Sequence, residues 1–191
     1  MDFLSLVKKS RSYRSFDENS PIAPQTLEYL IECARFAPTG VNLQELKFYL
    51  SADKKTNAII QPLTRWAGKL AGKMTLPPEG HMPTAFIVIL VDTTIMPDPV
   101  KAKTDVGIAA QTILLSASSI GLGGCMIGSF DKSIQDALEL PSHLSPALVV
   151  ALGKPDEEII PEDKTDSIDY YRNEAGVHVV PKRTKDELIV K

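Results

Sequence analysis

The chain is short of several things at once, and each shortage removes a class of function. Only two of its 191 residues are cysteine, Cys33 and Cys125, too few for a disulfide framework or a cysteine-rich metal site. One lies on an apolar helical face and the other in a glycine run, so both read as small buried thiols. Three histidines, His81, His143 and His178, are scattered without metal-ligand spacing. Net positive charge is also lacking: with a formal net charge of −3 the chain has no global basic field to draw in nucleic acid, and any cationic site must be local. The longest unbroken apolar run is Ala85 to Val91, far below the ~20 residues of a bilayer-spanning helix. The N-terminus sets its apolar residues ahead of Lys8 and Lys9 and lacks a small-residue cleavage site, unlike a secretory leader. A cytoplasmic protein with neither nucleic acid nor membrane as a partner is expected.

What is present suits one globular domain over 1–191 with a C-terminal extension at 156–191. Apolar residues make up 43% and charged ones 24%, ordinary values for a packed core. A turn or two of helix opens the chain. Pro24, then Leu27, Leu30, Ile31 and Ala34, predict a helix with proline in its first turn. A strand is expected over Lys47–Ser51, a helix from the N-cap Asp53 to the break at Pro62, and a loop over 68–83. Ala85–Val91 reads as a strand buried on both faces. Asp98-Pro99 opens the longest helix, with Val106, Ala109, Ala110, Ile113, Ala117 and Ile120 as its apolar stripe and Gly121 as its stop. Asp131 caps a short helix through Leu138, and Pro146–Leu152 is a second buried strand. Beyond Asp156 the chain is charged and proline-punctuated, with strand-forming residues at Val177–Val180. The pattern implies an α/β or α+β sheet of four or five strands, and not a regular doubly wound array.

Two stretches carry the chemistry. Ser10-Arg11-Ser12-Tyr13-Arg14-Ser15-Phe16 sets two guanidiniums among hydroxyls, donors that suit a phosphate. Lys182-Arg183 is a second basic pair that could close on it. Solvated surface arginines are the plain alternative. Gly121-Leu122-Gly123-Gly124-Cys125-Met126-Ile127-Gly128-Ser129-Phe130 brings bare backbone against something flat or tightly packed. It follows a helix and leads into a strand, the reverse of a dinucleotide fingerprint, so a tight turn into a strand is expected, with Gly128 and Ser129 exposing N–H groups at the strand's end. Asn42 and Gln44 place two carboxamides in the Pro38–Gln44 loop, able to match the edge of a pyrimidine-like ring; the plain alternative is a loop in which Asn42 bonds its own backbone. No protein nucleophile or acid–base pair has a local signature, so a bound cofactor is expected to carry the chemistry.

These segments together resemble the nitroreductase family of FMN-dependent flavoproteins. The resemblance rests on Ser10–Phe16, on Ala34-Arg35-Phe36-Ala37-Pro38 through Gln44, on Asp105-Val106-Gly107 with Ala109, Ala110 and Gln111 leading to the glycine run, and on Lys182-Arg183. It implies an α+β fold with a central mixed β-sheet flanked by helices and an extension wrapping a partner subunit in a homodimer. It implies that Ser10, Arg11 and Ser12, with Lys182 or Arg183, hold the FMN phosphate, and that Arg14 supports the reduced flavin. Pro38, Thr39, Gly40, Asn42 and Gln44 would reach the FMN from the second subunit, and Ile127, Gly128 and Ser129 would sit against flavin N5 and O4. The implied activity is NADH- or NADPH-dependent hydride transfer through flavin N5 to nitroaromatics, quinones or similar acceptors, with residues 64–83 bordering the acceptor slot. A relative that dehalogenates or cleaves its substrate, or a non-catalytic flavin binder, is the alternative. Ser10, Glu45-Leu46 and Gly128 depart from residues common in that family.

Overall fold

The computed structural model describes residues 1–67 and 75–190; part of the loop expected over 68–83, residues 68–74, lies outside them. The described chain forms two compact units, Met1–Pro155 and Asp156–Lys191.

The first unit is built on a four-stranded sheet in the order β1-β2-β4-β3, where β1 is Leu46–Ser51, β2 Ala85–Asp92, β3 Gly123–Ile127 and β4 Leu144–Gly153. All eight residues of β2 are buried, as the continuous apolar run requires for a strand covered on both faces. Alternation sorts its side chains. Ala85, Ile87, Ile89 and Val91 pack with Val150 and Leu152 beneath Leu27 and Leu30 of α2 (Pro24–Ala34) and Val106, Ala110, Ile113 and Ala117 of α4 (Lys103–Ser119). Phe86, Val88 and Leu90 face the other way, toward Ile60 of α3 (Lys54–Ile60) and Ile134 of α5 (Ile134–Ala137). Where Pro146 enters β4, the register with β2 shifts between Ile89 and Leu90. Proline has no N–H for the ladder, and a bulge absorbs it.

Most expected elements form, with several differences, among them that α5 is capped at Ser133 and not at Asp131. The ladders of this sheet are all antiparallel, and the parallel pairing at its edge is an isolated bridge from Ser12 to Gly124. Asp98 accepts the Val100 N–H at 3.1 Å, yet the first turn, Pro99–Ala102, is a 3-10 segment and α4 starts after it. Ile120, expected in the buried stripe, closes the helix and is 46% exposed. Cys125 is buried as expected, whereas Cys33 is only half-buried.

The second unit has a three-stranded sheet, β5-β7-β6, from Ile159–Asp163, His178–Lys182 and Tyr171–Arg172. β5 and β7 run parallel, while β6 and β7 are antiparallel. A short helix, α6 (Lys185–Leu188), follows, closed by a capping box between Thr184 and Glu187.

Candidate functional site

Ser10 ends α1 (Phe3–Lys9), and its N–H returns to Leu6 O at 2.9 Å. From there the chain runs extended along the free edge of β3. Ser12 bridges Gly124, and Tyr13 N–H donates to Gly124 O at 3.0 Å. Alternation buries Tyr13 and Ser15, leaves Ser12 exposed and Arg14 half-buried. Ser10 is itself buried.

This docking explains Gly123, while Gly124 is fixed from the other side by β4 and α4. A Cβ at Gly123 would stand 2.5 Å from Tyr13 Cδ2 and 2.6 Å from Pro155 Cγ. One at Gly124 would run into the backbone oxygen of Ala151, with Leu114 Cδ2 at 2.8 Å. Gly121 makes the turn itself at φ +86. Gly128 is different. It is exposed, and a Cβ there would meet only Leu148 Cδ1, at 3.9 Å. Nothing in the packing of the described residues requires glycine there, and an open face beside bare backbone suits the approach of a flat group. Ile127, just before it, is buried in the core. Ser129 is exposed, and its carbonyl accepts Arg65 N–H at 2.9 Å. A bridge from Thr64 to Phe130 continues that pairing, so the start of the 64–83 segment lies against the Gly128–Ser129 turn.

Arg11 supplies the clearest unsatisfied donor. Its Nη2 donates to Val7 O at 2.8 Å, but its Nε is buried without a hydrogen-bond partner among the described residues. A buried guanidinium N–H left over in this way calls for an acceptor, and an anion is the strongest one. Arg14 Nη1 donates to Ser12 O at 3.2 Å. The second unit carries the other basic pair: Lys182 ends β7, and Arg183 lies 3.7 Å from Glu187.

The loop from Pro38 to Gln44 lines a cavity of about 260 Å³ together with Arg35 and Asp105. Its shape is strained: Val41, Asn42 and Gln44 all have φ between 47 and 57, a conformation β-branched valine rarely takes. Val41 is nonetheless 96% exposed. Strain of this kind persists where the surroundings fix it. Thr39 Oγ1 accepts Gln44 N–H at 3.3 Å, and Gln44 Nε2 donates to Asn42 O at 3.2 Å. One carboxamide therefore serves the loop's own backbone, and it is that of Gln44, where the plain alternative had Asn42. Gly40 N–H donates to Asp105 Oδ2 at 3.0 Å.

Glu45 was absent from the expected site. It is fully buried, with neither carboxyl oxygen reached by a donor. Burial, and then the neighbouring Asp105, push its pKa above the ordinary 4.5. A glutamate leading into a strand reads from sequence as a solvated charge, so only its adjacency to the strained loop could have flagged it.

Residues 7–154 match the family model described as the Nitroreductase family. The FMN reductase (NAD(P)H) of Bacillus subtilis is 26% identical over 156 residues, covering 76% of this chain and 62% of that protein. An FMN-dependent nitroreductase from Clostridium difficile R20291 superposes with a TM-score of 0.66 at 25% identity, over 82% of this chain and 89% of its own. A nitroreductase family protein from Streptococcus pneumoniae shares the fold with a TM-score of 0.68 at 21% identity, over 100% of both chains.

Proposed function

The chain belongs to the nitroreductase family through residues 7–154, and from that premise we propose that this oxidoreductase uses FMN and takes its reducing equivalents from NADH or NADPH. The observation that carries the cofactor is the buried Arg11 Nε without an acceptor, set on a segment that Tyr13 stitches to the strand leading to Gly128. An anionic phosphate at Arg11, with Ser10 and Ser12 beside it, and a flat ring at the open Gly128–Ser129 turn use what the packing leaves free. FMN would supply two-electron chemistry that no side chain here offers.

The protein's share is binding, orientation and charge. Arg14 lends positive charge where a reduced ring gathers negative charge. Gly128 keeps the approach clear. Holding donor and acceptor in attack geometry can supply roughly 7–11 kcal/mol of a barrier. Two copies are proposed to form the working unit, the Pro38–Gln44 loop of one reaching the cofactor of the other, with Lys182 or Arg183 completing the phosphate site. Nitroaromatics, quinones and free flavins are the proposed acceptors, in a cytoplasmic setting.

The test is anaerobic addition of NADH or NADPH to the FMN-loaded protein, followed by an acceptor. Bleaching of the flavin and its return on adding a nitroaromatic or quinone are expected. A flavin that binds but stays oxidised with both nucleotides would make the chain a binding protein instead.

A further inference from the structure

Glu45, fully buried beside the half-buried Asp105, is an ionisable group that the proposed function leaves unused. Glu45 has no exposed surface, and among the described residues no other residue donates to its two oxygens. Its main chain is pinned, since Glu45 O accepts Asp92 N–H at 2.9 Å, so the side chain cannot leave without disturbing the start of β1. The neighbouring group is the Asp105 side chain in the first turn of α4. Two ionised carboxylates cannot bond each other, and a buried carboxylate with no donor is costly. One shared proton removes both problems.

We propose that Glu45 is a positioning residue: as the neutral acid it donates to Asp105, and this one-proton pair clamps the strained loop of residues 38–44 in the shape that meets the flavin. The connection is short. Asp105 Oδ2 holds Gly40 N–H at 3.0 Å, and Gly40 opens the segment in which Val41, Asn42 and Gln44 sit at positive φ. If Glu45 loses its proton, two negative charges face each other beneath that segment. Asp105 is then pushed from its place, and its bond to Gly40 goes with it.

Other charged groups around the pair do not relieve it. Arg35, just beyond the end of α2, is ion-paired with Glu32. Lys47 on β1 is exposed, and Asp92 at the end of β2 accepts from Thr94 while lying near Lys47 and His143. None of them donates to Glu45. Burial and Asp105 act in the same direction, keeping the proton on Glu45 above the usual carboxyl range.

The effect on flavin rests on the proposed function, whereas the clamp itself does not. The test therefore follows two readouts across pH in the wild type, in Glu45→Gln and in Asp105→Asn. The first is the amide resonance of Gly40 in the flavin-free protein. The second is the dissociation constant for FMN. Glutamine keeps a donor toward Asp105 without titrating, and asparagine gives Glu45 a donor while still accepting from Gly40. In the wild type the Gly40 amide should shift as pH rises through the Glu45 titration, and FMN binding should weaken about tenfold, the worth of one lost charge-assisted hydrogen bond. In Glu45→Gln and in Asp105→Asn the Gly40 shift should be absent, and the FMN profile should keep only the part set by ionisation of the phosphate itself. A Gly40 amide that titrates identically in the wild type and Glu45→Gln overturns the clamp. So does an FMN profile unchanged by both substitutions. Failure of the wild type to bind FMN at any pH would remove the flavin reading alone, and the Gly40 amide would still decide the clamp.

Discussion

Replacing Gly124 with alanine tests how closely β3, the strand the arginine segment docks on, packs against β4 and α4. The added Cβ would collide with the Ala151 backbone oxygen and come within 2.8 Å of Leu114 Cδ2 and 2.9 Å of Leu152 Cδ2. Leucine termini can turn aside. The Ala151 carbonyl cannot, because it sits in the β3–β4 ladder opposite Cys125. Overpacking of a tight core costs about 1–3 kcal/mol, and a backbone clash belongs at the top of that range. For a chain of this size about 3 kcal/mol lowers Tm by about 6–12 °C. The bond from Tyr13 N–H to Gly124 O should stretch as the strand shifts, so FMN affinity should fall along with stability. Thermal melts by circular dichroism, with and without FMN, read both effects. Gly128→Ala is the control, since its Cβ has only Leu148 Cδ1 at 3.9 Å and should stay within about 0.5 kcal/mol of the wild type. If Gly124→Ala melts within about 2 °C of the wild type, a shift worth under 1 kcal/mol, the close packing of β3 on β4 and α4 at Gly124 is misread.

Gly128→Val should leave Tm unchanged and weaken flavin binding; unaltered binding and turnover would remove Gly128 from the site. Asn57 accepts from Ser51 Oγ at 2.7 Å and donates to Thr84 O at 2.8 Å, so Asn57→Ala should cost about 2–3 kcal/mol of stability in denaturant melts. A wild-type midpoint would show that these bonds do not lock β1 to the segment before β2. Acid should destabilise the fold. Asp53, Asp92 and Asp131 are held below the ordinary 3.8 by bonds from Thr56, Thr94 and Ser133 respectively. Each contributes stability present above 3.8 and lost as pH falls through its lowered value. Glu45 has the opposite sign: its contribution is complete below 4.5 and is lost as pH rises through its raised value. Subtracting the pH–stability curve of Glu45→Gln from that of the wild type isolates it; a difference that does not decline with pH counts against a raised Glu45.

Much of the fold was legible because local chemistry and burial agreed. Pro24 does open α2, Asp53 does cap α3 through the Thr56 N–H, and the run from Ala85 to Val91 has no face to leave in water. The edge strand at Ser12–Tyr13 was not legible, because it is held by a single bridge and has no apolar alternation of its own. The strained loop was not legible either: a valine at positive φ contradicts local preference, and only the Gly40–Asp105 bond and its surroundings fix it. Strands β5 and β6 hid in a charged, proline-punctuated stretch, where pairing with β7 outweighs composition. Within the site, Arg11 was readable from its type and company. Glu45 was not, since burial of a carboxylate is a tertiary fact.

The most direct test of the central claim compares FMN with riboflavin, which lacks only the phosphate, in the wild type and in Arg11→Ala. The wild type should bind FMN far more tightly. Arg11→Ala should weaken FMN by about 10- to 150-fold, the worth of charge-assisted bonds of about 1.5–3 kcal/mol, while riboflavin binding barely changes. Equal affinity for the two flavins in the wild type, or an Arg11→Ala protein that holds FMN as tightly as its parent, would contradict an anion site at Arg11.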